Sequence, residues 1–171
     1  RLAFIVGEHL FTLHQPELAR RWWRTAIYAA EEAGDRHFAD HAYAACAYLP
    51  TYFGDPQAVL AHVTPRLEQA TKATPAIAWM WGLAAMAHAT LGDRNAFERA
   101  KTMARNTLAR CSPDSLTPSV FSFLPRKQAF YEARGYAELG DVEGAKEAAC
   151  RALADFDSPT AINAALTRPA Y

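Results

Sequence analysis

The chain has 171 residues, a mass of 18.9 kDa and 51% hydrophobic residues, and its eighteen Lys and Arg balance eighteen Asp and Glu to zero formal charge. That size suits one domain able to bury its own core. The hydrophobic content excludes a disordered tail, and the neutral balance argues against non-specific nucleic-acid binding by this chain. Alanine accounts for 37 residues and glycine for only 8. Alanine is the best helix former and the smallest side chain at a helix contact, so an all-α chain with close helix packing is expected.

Residues 2–13 and 16–33 read as a first pair of helices, joined at Leu13-His14-Gln15-Pro16. Residues 36–49 and 56–72 read as a second pair, joined at Phe53-Gly54-Asp55-Pro56. Here Pro50 is expected to end its helix early and leave Thr51-Tyr52-Phe53 irregular, and Pro65 to kink or break the helix that contains it. Residues 75–91 and 94–110 form the third pair, opened by the cap Thr74-Pro75 and joined at Leu91-Gly92-Asp93. A linker over 111–121 follows, and its apolar continuation Val120-Phe121-Ser122-Phe123-Leu124 is expected to pack down onto the helices. Residues 124–139 and 142–156 form the fourth pair around Leu139-Gly140-Asp141, and Ser158-Pro159 marks the start of a ninth helix. The resulting units are 1–34, 35–73, 74–111 and 122–157.

Each junction has the same logic. A glycine past a helix end takes the left-handed conformation cheaply, and an aspartate after it caps the next helix. The turn positions His14, Gly54, Gly92 and Gly140 are 40, 38 and 48 residues apart. Seven residues before each turn position stands a small residue: Gly7, Ala47, Ala85 and Ala133. Small residues there let the paired helices approach closely.

The run Ala133-Arg134-Gly135-Tyr136-Ala137-Glu138-Leu139-Gly140-Asp141, followed by Ala145, Ala149 and Ala152, resembles one unit of the tetratricopeptide (TPR) repeat family. The resemblance spans most of the chain and implies a right-handed α-solenoid of four helical hairpins. HEAT-type repeats suit the spacing of about 40 residues better. They rank second because their proline and Asp/Arg marks are not found in register. A narrower resemblance joins Ala30 to Arg36, Tyr52 to Pro56 and Ala89 to Arg94 to the TPR-like C-terminal region of actinobacterial helix-turn-helix (XRE-type) transcriptional regulators. It implies a sensor or dimerisation module attached to a DNA-binding domain that this chain does not contain.

No phosphate loop, dinucleotide-binding glycine motif, nucleophile elbow, zinc-protease motif or calcium loop occurs, so no catalytic residue, enzyme activity or cofactor is expected. His37 and His41 lie one helical turn apart without a visible third ligand, so no metal site is assigned. Cys46, Cys111 and Cys150 are odd in number and widely spaced, which fits a reducing cytoplasm, and no segment is apolar enough to span a membrane. The chain opens without Met and with an apolar run, so it reads as part of a longer protein whose end docks on another segment or on a second copy as a homodimer.

In a TPR array the first helix of each pair lines the concave surface. Aligning the turns places Phe4, Glu8, Phe11, His41, Tyr48, Tyr52, Trp79, Met86, Lys127, Phe130 and Arg134 on that inner face, with Ala44 and Gly82 between them. Two readings of these aromatics stand. They form a groove for a peptide, protein or small-molecule effector, or they pack on one another as core. The expected function is the ligand-binding module of a bacterial regulator, the alternative being a stand-alone TPR scaffold that joins proteins with no DNA role.

Overall fold

The computed structural model describes residues 1–119 and 121–154; the expected ninth helix and the end of the fourth pair lie outside them. The described chain is all-helical: α1 (Leu2–Thr12), α2 (Pro16–Glu32), α3 (Arg36–Cys46), α4 (Tyr48–Tyr52), α5 (Pro56–Glu68), α6 (Pro75–Thr90), α7 (Arg94–Ala109), α8 (Pro125–Glu138) and α9 (Val142–Leu153). A 3₁₀ turn, Pro113–Leu116, sits in the linker. Helix α1 packs on α2, α6 on α7 and α8 on α9, while α6 also contacts α3, α5 and α8 and so forms the centre of the molecule. Thirteen of its sixteen residues are buried.

The turns follow the expected chemistry. Gly54, Gly92 and Gly140 all take φ near +70° (70°, 75° and 72°), and His14 takes the same left-handed conformation at φ 56°. The Oδ1 atoms of Asp35, Asp55, Asp93 and Asp141 accept the backbone N–H of Phe38, Ala58, Ala96 and Gly144 respectively, each three residues into the next helix. Replacing such a cap with alanine leaves the donor to water alone. Asp93→Ala is expected to cost about 1 kcal/mol, read as a shift of the denaturant midpoint.

The small residues before the turns are contact points. A Cβ on Gly7 would stand 2.5 Å from Trp23 Cδ1, so the indole of α2 lies directly on the backbone of α1. In α8 the close contact falls on Gly135, two residues past the expected Ala133: Phe97 Cε2 would stand 2.3 Å from an added Cβ. Both rings are fully buried.

Two proline expectations are corrected. Helix α3 ends at Cys46, and α4 runs from Tyr48 through Pro50 to Tyr52. The break at Ala47 gives α4 a fresh first turn, where the missing proline N–H needs no partner. Thr51 and Tyr52 are therefore helical, not irregular. Helix α5 likewise contains Pro65 and ends at Glu68, four residues short of the expected 72. The helix runs through Pro65 without a break, although the proline forgoes the bond to the Ala61 carbonyl in the turn before it.

Candidate functional site

Four elements meet on one face: α1, the α3–α4 segment, α6 and α8. They bring Phe4, Glu8, Phe11, His41, Tyr48, Tyr52, Trp79 and Lys127 together. Phe4 lies 5.1 Å from His41, His41 lies 5.0 Å from Trp79, and Trp79 lies 5.0 Å from Tyr48, centroid to centroid. Phe11 stacks near Tyr48 at 5.9 Å and meets Tyr52 edge-on at 5.0 Å. Tyr52 is 60% exposed and stands at the open end of this row, whereas Phe4, His41 and Trp79 are buried.

A charged centre sits within the aromatic row. Lys127 Nζ donates to Tyr48 Oη at 2.8 Å and stands 4.4 Å from the centroid of the Trp79 ring. Tyr48 and Phe123 complete the cage at 5.5 and 6.0 Å. An ammonium over an indole face is held by the ring quadrupole. Burial nevertheless lowers the Lys127 pKa to about 8, against the upward pull of the Glu8 charge. Burial raises the Glu8 pKa above the usual carboxylate range, opposed by Lys127 and by the neighbouring Trp23 indole. Glu8 Oε1 and Trp23 Nε1 are buried, and neither has a partner at hydrogen-bond geometry. The Trp23 side chain still acts on Glu8 as a hydrogen-bond donor that lowers its pKa, so the two form a loose pair just outside ideal geometry, within reach of the Lys127 charge.

Trp79 Nε1 donates to Tyr131 Oη at 2.9 Å, and burial raises the pKa of both Tyr131 and Tyr48, so these phenols stay neutral. Burial pulls the His41 pKa down to about 3, helped by the charges of Lys127 and His37, so its ring is neutral at physiological pH. Among the described residues no three of His, Cys, Asp and Glu gather closely enough to hold a metal ion.

The linker closes part of this face. Phe121 lies 5.7 Å from Phe4, 5.4 Å from Phe38 and 6.3 Å from His41. Phe123, fully buried, stacks on Trp79 at 6.1 Å with 12° between the planes. The two aromatics of the Phe121-Ser122-Phe123 stretch therefore strap the inner face, and the packing reading holds for Phe4, His41 and the inner half of the Trp79 ring. The polar end around Glu8, Tyr48, Lys127 and Tyr52 lies away from Phe121.

Three expected residues lie elsewhere. Met86 is buried in the core along α6. Phe130 and Arg134 line a separate groove between α8 and α9, walled by Ala133, Ala137, Ala145, Ala149 and Ala152. Tyr131 and Phe123 take part in the cluster but were not among the expected residues. Tyr131 was legible in principle, since it stands one helical turn from Lys127 and must share its face. Beneath the site, Glu132 is 2% exposed and receives both Arg105 and Arg151, with Gln128 Nε2 at 3.3 Å, which ties α7, α8 and α9 together. Those charges hold the Glu132 pKa below its usual value despite burial.

No family model, curated protein or solved structure matches the chain.

Proposed function

We propose that the chain is a TPR-like binding module, a right-handed α-solenoid of four hairpins, that receives a small-molecule or peptide effector at the polar end of its inner face. In this reading it is the sensing part of a bacterial transcriptional regulator, and DNA is met only through a separate domain. The observation that carries the binding reading is the caged, buried Lys127 ammonium, coupled through charge to a buried Glu8 carboxylate that it does not meet in a salt bridge. Burying a lysine and a carboxylate without a direct ion pair costs stability, a cost that a binding site gives a reason to carry. A ligand bearing one acceptor and one donor would complete both groups, with Phe11, Tyr48 and Tyr52 supplying apolar area. The regulator half rests on the resemblance of the turns at Ala30 to Arg36, Tyr52 to Pro56 and Ala89 to Arg94.

Lys127→Met tests the binding half. The folded-state pKa of Lys127 is depressed from 10.5 to about 8, so its burial opposes folding fully below pH 8 and ceases to do so above 10.5. Methionine fills the same volume without that charge. The variant is expected to melt at the same temperature as the parent or higher, and to lose the thermal shift given by any effector found in a screen of metabolites and short peptides. A variant that keeps the effector shift, or melts well below the parent, would make Lys127 a structural cation. The regulator half is tested by reading the open reading frame upstream of Arg1: a helix-turn-helix there supports it, and a start codon with no such domain turns the search to protein partners.

A further inference from the structure

A second groove, of about 650 Å³, shares no residue with the inner face. Arg20, Arg24, Ile27, Tyr28 and Glu31 line it from one stripe of α2, and Ala58, His62 and Arg66 from one stripe of α5. Tyr43, Cys46 and Pro50 form its floor. The volume lies within the range of small-molecule sites, about 300–1,000 Å³.

The floor is rigid. Tyr43 Oη donates to the His62 carbonyl at 2.6 Å, His62 Nε2 donates to the Tyr43 carbonyl at 2.9 Å, and the two rings stack at 4.1 Å. Arg66 is fixed by Asp40, its Nε 2.6 Å from Oδ1, and lies over the Tyr43 ring at 5.4 Å. The acidic side chains of the lining are already engaged. Glu31 stands 3.8 Å from Arg66, and Asp55 Oδ1 accepts the Ala58 N–H that caps α5. The arginines of α2 are not engaged in the same way. Arg20 has only an exposed contact with Glu17 at 3.7 Å, and no hydrogen bond or ion pair holds Arg24 among the described residues. Both guanidinium charges are felt at the floor, where they oppose the burial that raises the Cys46 thiol pKa to about 11. At the rim, Tyr28 and Phe53 are each 67% exposed.

We propose that this groove is a binding site for a small organic anion, a carboxylate or phosphate carried on a flat apolar body. Arg24 and Arg20 meet the anion in the bidentate geometry that guanidinium groups favour. Tyr28, Phe53, Ile27 and Pro50 cover the apolar body. Charge complementarity favours this occupant, because Arg20 and Arg24 are the lining cations without a hydrogen-bonded acceptor among the described residues, while Glu31 is turned to Arg66 and Asp55 to the start of α5.

Cys46 on the floor reports occupancy. In the Cys111→Ser/Cys150→Ser chain it is the single thiol. Phenyl phosphate and phenylacetate are titrated against its alkylation rate, with affinity measured in parallel by calorimetry. Phenyl phosphate is expected to protect Cys46 saturably, inorganic phosphate to bind about tenfold more weakly, and neutral benzyl alcohol not to protect. Arg24→Gln, an exposed change on α2, is expected to weaken phenyl phosphate about tenfold, while Lys127→Met leaves it unchanged. Equal affinity in the Arg24→Gln and parent chains would overturn the proposal, as would an absence of protection by either aryl anion. Protection by an acidic peptide with none by the aryl anions would also overturn it, in favour of a peptide site.

Discussion

Trp79→Ala is expected to be the most damaging single substitution at the inner face, lowering stability by about 3–5 kcal/mol for the lost indole and its cavity. The ring is 2% exposed and touches His41, Tyr48, Phe123, Lys127 and Tyr131. It stacks on Phe123 at 6.1 Å, meets His41 and Tyr48 at 5.0 Å, and carries Lys127 Nζ at 4.4 Å. Truncation also removes the N–H that the Tyr131 hydroxyl accepts at 2.9 Å, leaving that hydroxyl with Tyr48 alone. A lost buried hydrogen bond adds about 1 kcal/mol. In a domain of this size a loss of about 4 kcal/mol corresponds to a fall of roughly 8–16 °C in the melting temperature. Trp79→Phe separates the contributions, since it keeps the apolar body and removes only the N–H. It is expected to cost about a third of the alanine change, and equal losses in both variants would show that the hydrogen bond, not the packing, holds the face together.

The second large effect is acid sensitivity. His41 is 4% exposed and surrounded by Phe4, Phe38, Trp79 and Phe121. Its folded-state pKa falls from 6.5 to about 3, so between those values the unfolded chain binds a proton that the folded chain refuses. Stability is therefore intact above pH 6.5 and falls as the pH drops below it. From neutrality to about pH 5 the loss from this one residue is about 2 kcal/mol. His62 and His88 are lowered by burial as well and add to the slope in the same direction. Glu8, with its pKa raised, opposes it toward the acid end, while Glu132 acts only below the carboxylate range of the unfolded chain. Urea titrations at neutral pH and at pH 5 measure the slope, and His41→Leu is expected to remove the larger share of it. An unchanged slope in that variant would assign the acid sensitivity to His62 and His88.

Much of the fold is local chemistry and was legible for that reason. A glycine or His14 in the left-handed region, an aspartate one residue beyond Gly54, Gly92 and Gly140, and a helix that starts directly after it form a self-contained signal. Gly7 could be assigned a close contact because its register against the turn matched Ala47 and Ala85. Pro50 misled because a proline stops a helix only when a preceding turn needs its N–H, and whether α3 breaks at Ala47 is decided by tertiary packing. Several residues picked by turn counting do come together in the aromatic row. Glu8, His41, Tyr48 and Trp79 fall into place from turn counting alone. In the last unit Lys127 keeps the register before Gly140 that His41 and Trp79 keep before Gly54 and Gly92, but how α8 divides its other residues between α6 and α9 is decided by packing. Lys127 and Tyr131 turn toward Trp79, which leaves Phe130 and Arg134 facing α9. The strap was legible only as an apolar run, since nothing in Phe121-Ser122-Phe123 by itself says which surface it will meet.

That strap has a consequence for affinity. Phe121 and Phe123 are tethered to the face they cover, so they compete with any incoming chain at a fixed effective concentration, of order millimolar for a short connection. An aromatic peptide that must lift them off pays this competition in its apparent dissociation constant, whatever its contacts. A ligand that enters beside Tyr52 and stops at Glu8 and Lys127 leaves the tether seated and escapes it. The connection between α7 and α8 thereby acts as a built-in competitor, favouring short occupants of the open end over long ones that span the face.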